Sequence, residues 1–207
     1  MSTEAKIQIQ IDPKYVLRLA GTLLAIAAIV ALLLGFVNSI TADKIDAIQA
    51  QKTQTALQSV FEGATFTKQD ITADQTAIAA GDDTKSKLIA IYAVDDGSGY
   101  AIEVGPSGFG GTIDMIVGVS SDGSIAGISV VSNSETSGIG TEVCKDKPNR
   151  NGDGVLSQFK GKTSGTDNLF TVNSGSNEVD AISGATVSTK AITRGVNAAM
   201  LVYETLG

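Results

Sequence analysis

From Leu19 to Ala42 the chain runs for 24 residues without a charge, including the apolar block LLAIAAIVALLLGFV. A helix needs about 20 predominantly apolar residues to cross the hydrocarbon core of a bilayer, whereas a cleaved signal has an apolar stretch of about 7–15. The run therefore predicts an uncleaved transmembrane helix. No cysteine follows it to mark a lipoprotein, and Asn38, Ser39 and Ile40 make a poor cleavage site. Lys6, Lys14 and Arg18 precede the span, while Lys44 and Lys52 follow it. Positive residues favour the cytoplasmic side of a membrane. Residues 1–18 are thus expected in the cytoplasm, and everything after the span, which ends before Asp43, outside it.

Beyond the span the polar and apolar positions change rhythm twice. In DKIDAIQAQKTQTALQSVF, Ile45, Ile48, Ala56, Val60 and Phe61 recur at roughly helical spacing, interrupted where Lys52 falls on the apolar side. This predicts a membrane-proximal amphipathic helix. The polar stretch TKQDITADQTAIAAGDDTKSK then reads as loops with short turns, so residues 43–87 form a helix and linker. Strand-like runs follow: LIAIYAV (Leu88–Val94), YAIEV (Tyr100–Val104), GTIDMIVGVS (Gly111–Ser120) and SIAGISVVS (Ser124–Ser132). Asp96-Gly97 and Asp122-Gly123 each separate two of these runs. Asp-Gly supplies the positive φ that tight hairpins need, so an antiparallel meander of about four strands is expected. From Val187 the spacing of Ala191, Ile192, Val196, Ala199, Met200 and Tyr203 is helical again, giving an apolar stripe to pack on the sheet. Strands flanked by helices make residues 88–207 an α+β domain behind a single transmembrane helix.

Composition narrows the chemistry. The 207 residues carry a net charge of −7, and a nucleic-acid surface needs a basic excess or a basic stripe. There is no histidine, which excludes His-based acid–base catalysis, His-ligated haem or zinc, and Ser-His-Asp triads on this chain. Cys144 stands alone and cannot form an internal disulfide or a CxxC pair; a buried, reduced thiol is its default. No tryptophan is present, and aromatic residues make up 5% of the chain, which leaves little material for a stacking surface.

Three segments remain as candidate sites. NRNGDGVLSQFK places Asn149, Asn151, Asp153 and Gly154 like the start of a calcium loop, but the position that requires a bidentate Glu is Lys160. It is expected to be an ordinary polar turn. SETSGIGTE, directly after the last strand, alternates Gly138 and Gly140 with Ile139, a pattern that suits either a flexible exit loop or close approach to a ligand. DAISGATVSTKAITRG puts Ser183, Gly184, Ala185 and Thr186 immediately before the last helix. Small hydroxylated residues there cap the free amides of a helix's first turn. The same free amides and the helix dipole also bind an anion such as phosphate. Local chemistry leaves both readings open.

Asp180-Ala181-Ile182-Ser183-Gly184-Ala185-Thr186 fits the pattern D-x-x-[ST]-G-A-T. It resembles the flavinylation motif of the FMN-binding domain family, in which FMN is attached through its phosphate to the last threonine. Gly108–Val131, then ETSGIGTE, then FKGK (Phe159–Lys162) occur in the order seen in the G subunits of Rnf complexes, membrane-bound ferredoxin:NAD⁺ oxidoreductases that couple electron flow to ion transport. The resemblance covers nearly the whole chain. It implies FMN held by a phosphoester on Thr186, with Ser183, Gly184 and Ala185 shaping the phosphate site. Glu135, Thr136, Gly138 and Gly140 would approach the flavin, and Asp180 would be read by a separate flavin transferase. Further implied partners are the other membrane and redox subunits of such a complex. Where the family commonly has ETPGLG, Ser137 replaces the proline, which leaves the loop less rigid. Three alternatives stay compatible with these residues: the related C subunit of Na⁺-translocating NADH:quinone oxidoreductase, a membrane-tethered binding or sensor domain in which SGAT only caps a helix, and a flavoprotein of some other extracytoplasmic electron chain.

Overall fold

A computed structural model describes residues 13–81 and 85–206. Lys6, with the rest of the segment ahead of Pro13, lies outside the described residues, as do positions 82–84 of the polar linker. The apolar run and the amphipathic stretch behind it form one helix, α1 (Pro13–Val60), rather than two. No glycine or proline occurs between Phe36 and Phe61, so nothing in that stretch stops the helix. Lys52, which broke the apolar spacing, is exposed. The chain divides into two compact units between Ile48 and Gln49, and the fold below belongs to the second.

A five-stranded antiparallel sheet is built in chain order from β1 (Phe66–Gln69), β2 (Ser86–Val94), β3 (Gly99–Pro106), β4 (Ile113–Ser120) and β5 (Ile125–Asn133). The four expected runs are β2 to β5. A short edge strand, β1, and a helix, α2 (Ala73–Ala80), arise inside the stretch expected to be loops. The start of α2 is fixed by a capping box: the Gln75 amide donates to the Thr72 hydroxyl at 3.2 Å, and the Thr72 amide donates to Gln75 Oε1 at 3.0 Å. Both Asp-Gly pairs sit in hairpin turns, with φ of +77° at Gly97 and +81° at Gly123. In each, the aspartate carboxylate accepts from the serine amide two residues on, at 2.8 Å for Asp96 and 2.9 Å for Asp122.

After β5 the chain makes a short helix, α3 (Gly140–Cys144), a long loop, and a parallel pair β6 (Thr171–Val172) and β7 (Glu178–Val179). It ends in α4 (Thr186–Tyr203). Successive side chains of a strand point to opposite faces, and both faces of this sheet are used. Ile192, Val196 and Ala199 of α4 join Ile102, Val104, Met115 and Val117 in one buried cluster. Ala56 and Leu57, near the end of α1, pack with Ala101, Ile116 and Val131 in a second. Each of the buried Ile, Val, Leu and Met side chains contributes about 1.5–3 kcal/mol on burial, and the alanines less, so α4 and the last turns of α1 hold the sheet between them. The result is an α+β domain in which the first turn of α4 lies beside the loops leaving β3 and β5.

Candidate functional site

The turn that enters α4 is closed by the Ala185 amide, which donates to the Ile182 carbonyl at 2.9 Å. Gly184 is its third residue, at φ +83°, the left-handed conformation a type II turn demands there. The helix starts at Thr186, and its first internal bond from this end is Thr189 amide to Ala185 carbonyl at 2.9 Å. The amides of Thr186, Val187 and Ser188 lie ahead of that bond. Ala185 occupies the cap position, and no side chain caps the helix among the described residues. Ser183 is exposed and Thr186 is half-buried. The capping role that the sequence allowed for Ser183 is therefore not made.

Thr186, Ser183 and Gly184 open onto a cavity of about 370 Å³. The remainder of its lining includes Asn149, Arg150 and Asn151, from the loop that resembled a calcium site, together with Asn173 and Asp180. That loop folds on its own amides: Asn149 Oδ1 accepts from the Asn151 and Asp153 amides at 2.8 and 3.3 Å. It is then tied to the SGAT segment, because Asn151 Nδ2 donates to Asp180 Oδ2 at 2.8 Å. Gln158 completes the tie by accepting from the Asp180 amide at 2.7 Å and donating to its carbonyl at 3.1 Å. Asn149 Nδ2 remains a buried donor without a partner among the described residues. A donor so placed is costly unless something fills the site and accepts from it. A second cavity, about 420 Å³, lies along another side of α4 beside Ile78, Phe170 and Asn197 and shares no residue with the first.

Glu135 takes a different position from the cavity residues. It is only 8% exposed. Its Oε1 accepts from the amides of Phe109 and Gly110 at 2.8 and 3.2 Å, and its Oε2 accepts from the Ser188 hydroxyl at 2.5 Å. One carboxylate thus joins the β3–β4 loop, the segment after β5 and the first turn of α4. The fit admits no extra carbon at Gly140, where a Cβ would stand 2.1 Å from Glu135 Oε2. Thr136 and Gly138 are exposed on the loop that follows, where the Thr136 carbonyl accepts from the Ile139 and Thr141 amides. Cys144 is buried at the end of α3; burial, and secondarily the Glu135 charge, push its thiol up to about 11.

The structure therefore gathers Asp180, Ser183, Gly184 and Thr186 around one cavity and places Ala185, buried, at the helix start. Glu135 and Gly140 support the same helix turn from within, through Ser188. Arg150 and Asn173 were not foreseen, Asn149 and Asn151 were read only as an ordinary polar turn, and Ser188 only as one of the hydroxylated residues at the helix start. The Asn-Arg-Asn run offered only a failed metal pattern, and its partner Asp180 lies 29 residues further on from Asn151.

Residues 108–201 match the family described as FMN-binding domain, and residues 2–60 match the RnfG N-terminal region. The G subunit of the Na⁺-translocating ferredoxin:NAD⁺ oxidoreductase complex of Acetobacterium woodii is 33% identical over 213 residues, spanning 98% of this chain and 99% of that protein. The G subunit of the ion-translocating oxidoreductase complex of Shewanella baltica is 30% identical over 192 residues, or 89% of this chain and 88% of its own length. The G subunit of the proton-translocating ferredoxin:NAD⁺ oxidoreductase complex of Clostridium ljungdahlii is 32% identical over 112 residues, covering 53% of this chain and 57% of that protein.

Proposed function

Since the chain belongs to the family of Rnf complex G subunits and carries its FMN-binding domain, we propose that it relays electrons within a membrane-bound, ion-translocating ferredoxin:NAD⁺ oxidoreductase complex, through an FMN esterified to Thr186. The observation that carries the reading is the setting of that threonine: a half-buried hydroxyl at an uncapped helix start, opening onto a polar cavity.

The residues present suit a flavin phosphate. Free amides at a helix start, with the positive end of its dipole, favour a bound anion. Arg150 lines the same cavity and brings a permanent positive charge. Asn149 Nδ2 offers the unpartnered donor. Attachment is a loading step. Thr186 Oγ1 loses its proton and forms one ester bond to phosphorus, while the P–O–P bond of an activated flavin dinucleotide donor breaks and a nucleoside monophosphate leaves. A separate flavin transferase, reading Asp180 within the motif, would perform it.

When bound, flavin supplies the redox chemistry. The chain's residues hold and orient it and are asked for no proton transfer, which agrees with the absence of histidine. A phosphoester also prevents loss of the cofactor on the side of the membrane where the domain is proposed to lie. Residues 19–42 would span the bilayer with the N-terminus in the cytoplasm, and the other subunits of the complex would supply and remove electrons.

Full-length protein co-expressed with a flavin transferase should give a fluorescent band in a denaturing gel. Thr186→Ala should abolish that band at unchanged protein level. A fluorescent band that survives Thr186→Ala, or no band in the parent, overturns the attachment.

A further inference from the structure

The segment that carries Thr186 is open at one end and clamped at the other. Ser183 and Gly184 are exposed, and a Cβ at Gly184 would meet nothing within 4 Å. Asp180 is different, because residues far away in the chain take its polar groups. Its amide donates to Gln158 Oε1 at 2.7 Å, and its carbonyl accepts from Gln158 Nε2 at 3.1 Å. Its carboxylate accepts from Asn151 Nδ2 at 2.8 Å. The residues on either side are held in the same way. The Ala181 amide donates to Asn173 Oδ1 at 2.9 Å, and the Val179 carbonyl accepts from the Asn173 amide at 3.1 Å.

A transferase that reads Asp180 within an extended motif makes hydrogen bonds of its own to that residue and to the backbone beside it. An amide has one hydrogen to give, so the Asp180 and Ala181 amides serve either the domain or the enzyme, not both. The bonds to be exchanged are local. Gln158 sits in a single tight turn, Ser157–Phe159, and Asn173 in the loop after the two-residue strand β6. Neither belongs to the sheet or to α4, so their release leaves those elements intact.

We infer that Gln158, with Asn151 and Asn173, forms a latch over the Asp180 end of the motif, and that the flavin transferase acts on a state in which this latch is open. This rests on the attachment proposed above and concerns access alone. The transfer is the same: Thr186 Oγ1 loses its proton and gains the bond to phosphorus, and a nucleoside monophosphate leaves. Loading then scales with the fraction of molecules whose latch is open. On closing, the same ties return Asn151 and Asn173 to the wall of the cavity at Thr186.

The test uses the full-length, flavin-free protein in detergent, with purified flavin transferase and flavin adenine dinucleotide. It reads the initial rate of in-gel fluorescence and the hydrogen exchange of the Ala181 amide. Gln158→Ala removes both bonds to the Asp180 backbone and leaves the Ala181 bond in place. Loading should quicken about fivefold or more, and Ala181 exchange by a similar factor, as two bonds that hold the closed state are lost. Asn173→Gly suits the φ of +54° at that position and removes the Ala181 tie by another route. It should also quicken loading, and it carries the test if Gln158→Ala does not fold. Lys160→Ala, an exposed side chain of the same loop, should load at the parent rate. So should Ile116→Val, in the buried cluster on the α1 side of the sheet, despite a lower Tm. Unchanged or slower loading in the folded Gln158→Ala protein overturns the latch, because the transferase then reads the closed surface. Equal quickening in Ile116→Val overturns it in favour of global unfolding. Absence of fluorescence in the parent overturns the attachment itself, and the latch with it, a distinguishable failure.

Discussion

Glu135 accepts three hydrogen bonds with a buried carboxylate, and its replacements separate shape from charge. Glutamine can reproduce the pattern: its carbonyl accepts from the Phe109 and Gly110 amides, and its NH₂ donates to the Ser188 oxygen. Alanine leaves two amides and a hydroxyl without partners. Each orphaned buried group costs about 1–3 kcal/mol, so Glu135→Ala should lose about 3 kcal/mol of stability and Glu135→Gln about 1 kcal/mol, the smaller loss reflecting a weaker, uncharged acceptor. Thermal and urea unfolding of the two variants measures the gap; equal losses would reject the three-way tie. The neighbouring thiol supplies a pH test. Burial and the Glu135 charge raise Cys144 from an ordinary 9.0 to about 11. As pH rises past 9.0, the unfolded chain releases this proton first. The group's contribution to stability is therefore intact below 9.0 and is lost between 9.0 and about 11. At pH 8 the folded thiolate fraction is about 100-fold below that of the unfolded chain. Iodoacetamide should label Cys144 correspondingly more slowly in the folded protein, and somewhat faster again in Glu135→Gln. Equal rates in folded and unfolded protein contradict the assignment.

At the level of elements, the turn into α4 is where one backbone conformation governs the site. Gly184 has φ +83° and open space around it, so a side chain there meets backbone strain and no neighbour. Gly184→Ala should cost about 1 kcal/mol, and Gly184→Asn less, because Asn tolerates this region. If the turn aims Thr186, flavin loading measured by gel fluorescence should fall in the same order, Ala more than Asn. Full loading of both variants would show that the turn is dispensable. Much of this element was legible beforehand: the small residues, the helical stripe behind them and the two Asp-Gly hairpins each carry a local physical cause. The strand β1 was not, because Phe-Thr-Lys-Gln is short and polar and becomes a strand only through pairing with Gln69↔Ile91 and its neighbours along β2. α2 did carry a signal, in the Thr72-Ala73-Asp74-Gln75 capping pattern, hidden inside a polar stretch. The cavity beside Thr186 carried none. Asn149 to Asn151 reach it only after the long loop has been tied to Asp180, and no spacing along the chain encodes that tie.

For the whole molecule, the positive charges that flank the apolar run support the proposed span and its proposed orientation. Lys6, Lys14 and Arg18 against Glu4 and Asp12 leave the segment before the span at +1, so the residues after it carry −8 of the total −7. The comparison that matters for insertion is narrower, since acidic residues contribute little: three positive residues lie ahead of the span, and Lys44 and Lys52 lie just beyond it. That margin is small enough to reverse. A periplasmic-reporting phosphatase fused after Gly207 should be active with the native N-terminus. Replacing Lys6, Lys14 and Arg18 together by glutamine leaves the positive bias beyond the span and should shift a large share of molecules to the opposite topology, lowering phosphatase activity while a cytoplasmic fluorescent reporter at the same position gains signal. In-gel flavin fluorescence adds an independent readout. If the transferase acts on the extracytoplasmic side, loading should fall in proportion to phosphatase activity, because Thr186 travels with the domain. An inactive phosphatase on the native chain would overturn the orientation. Retained loading in inverted molecules would place the transferase in the cytoplasm.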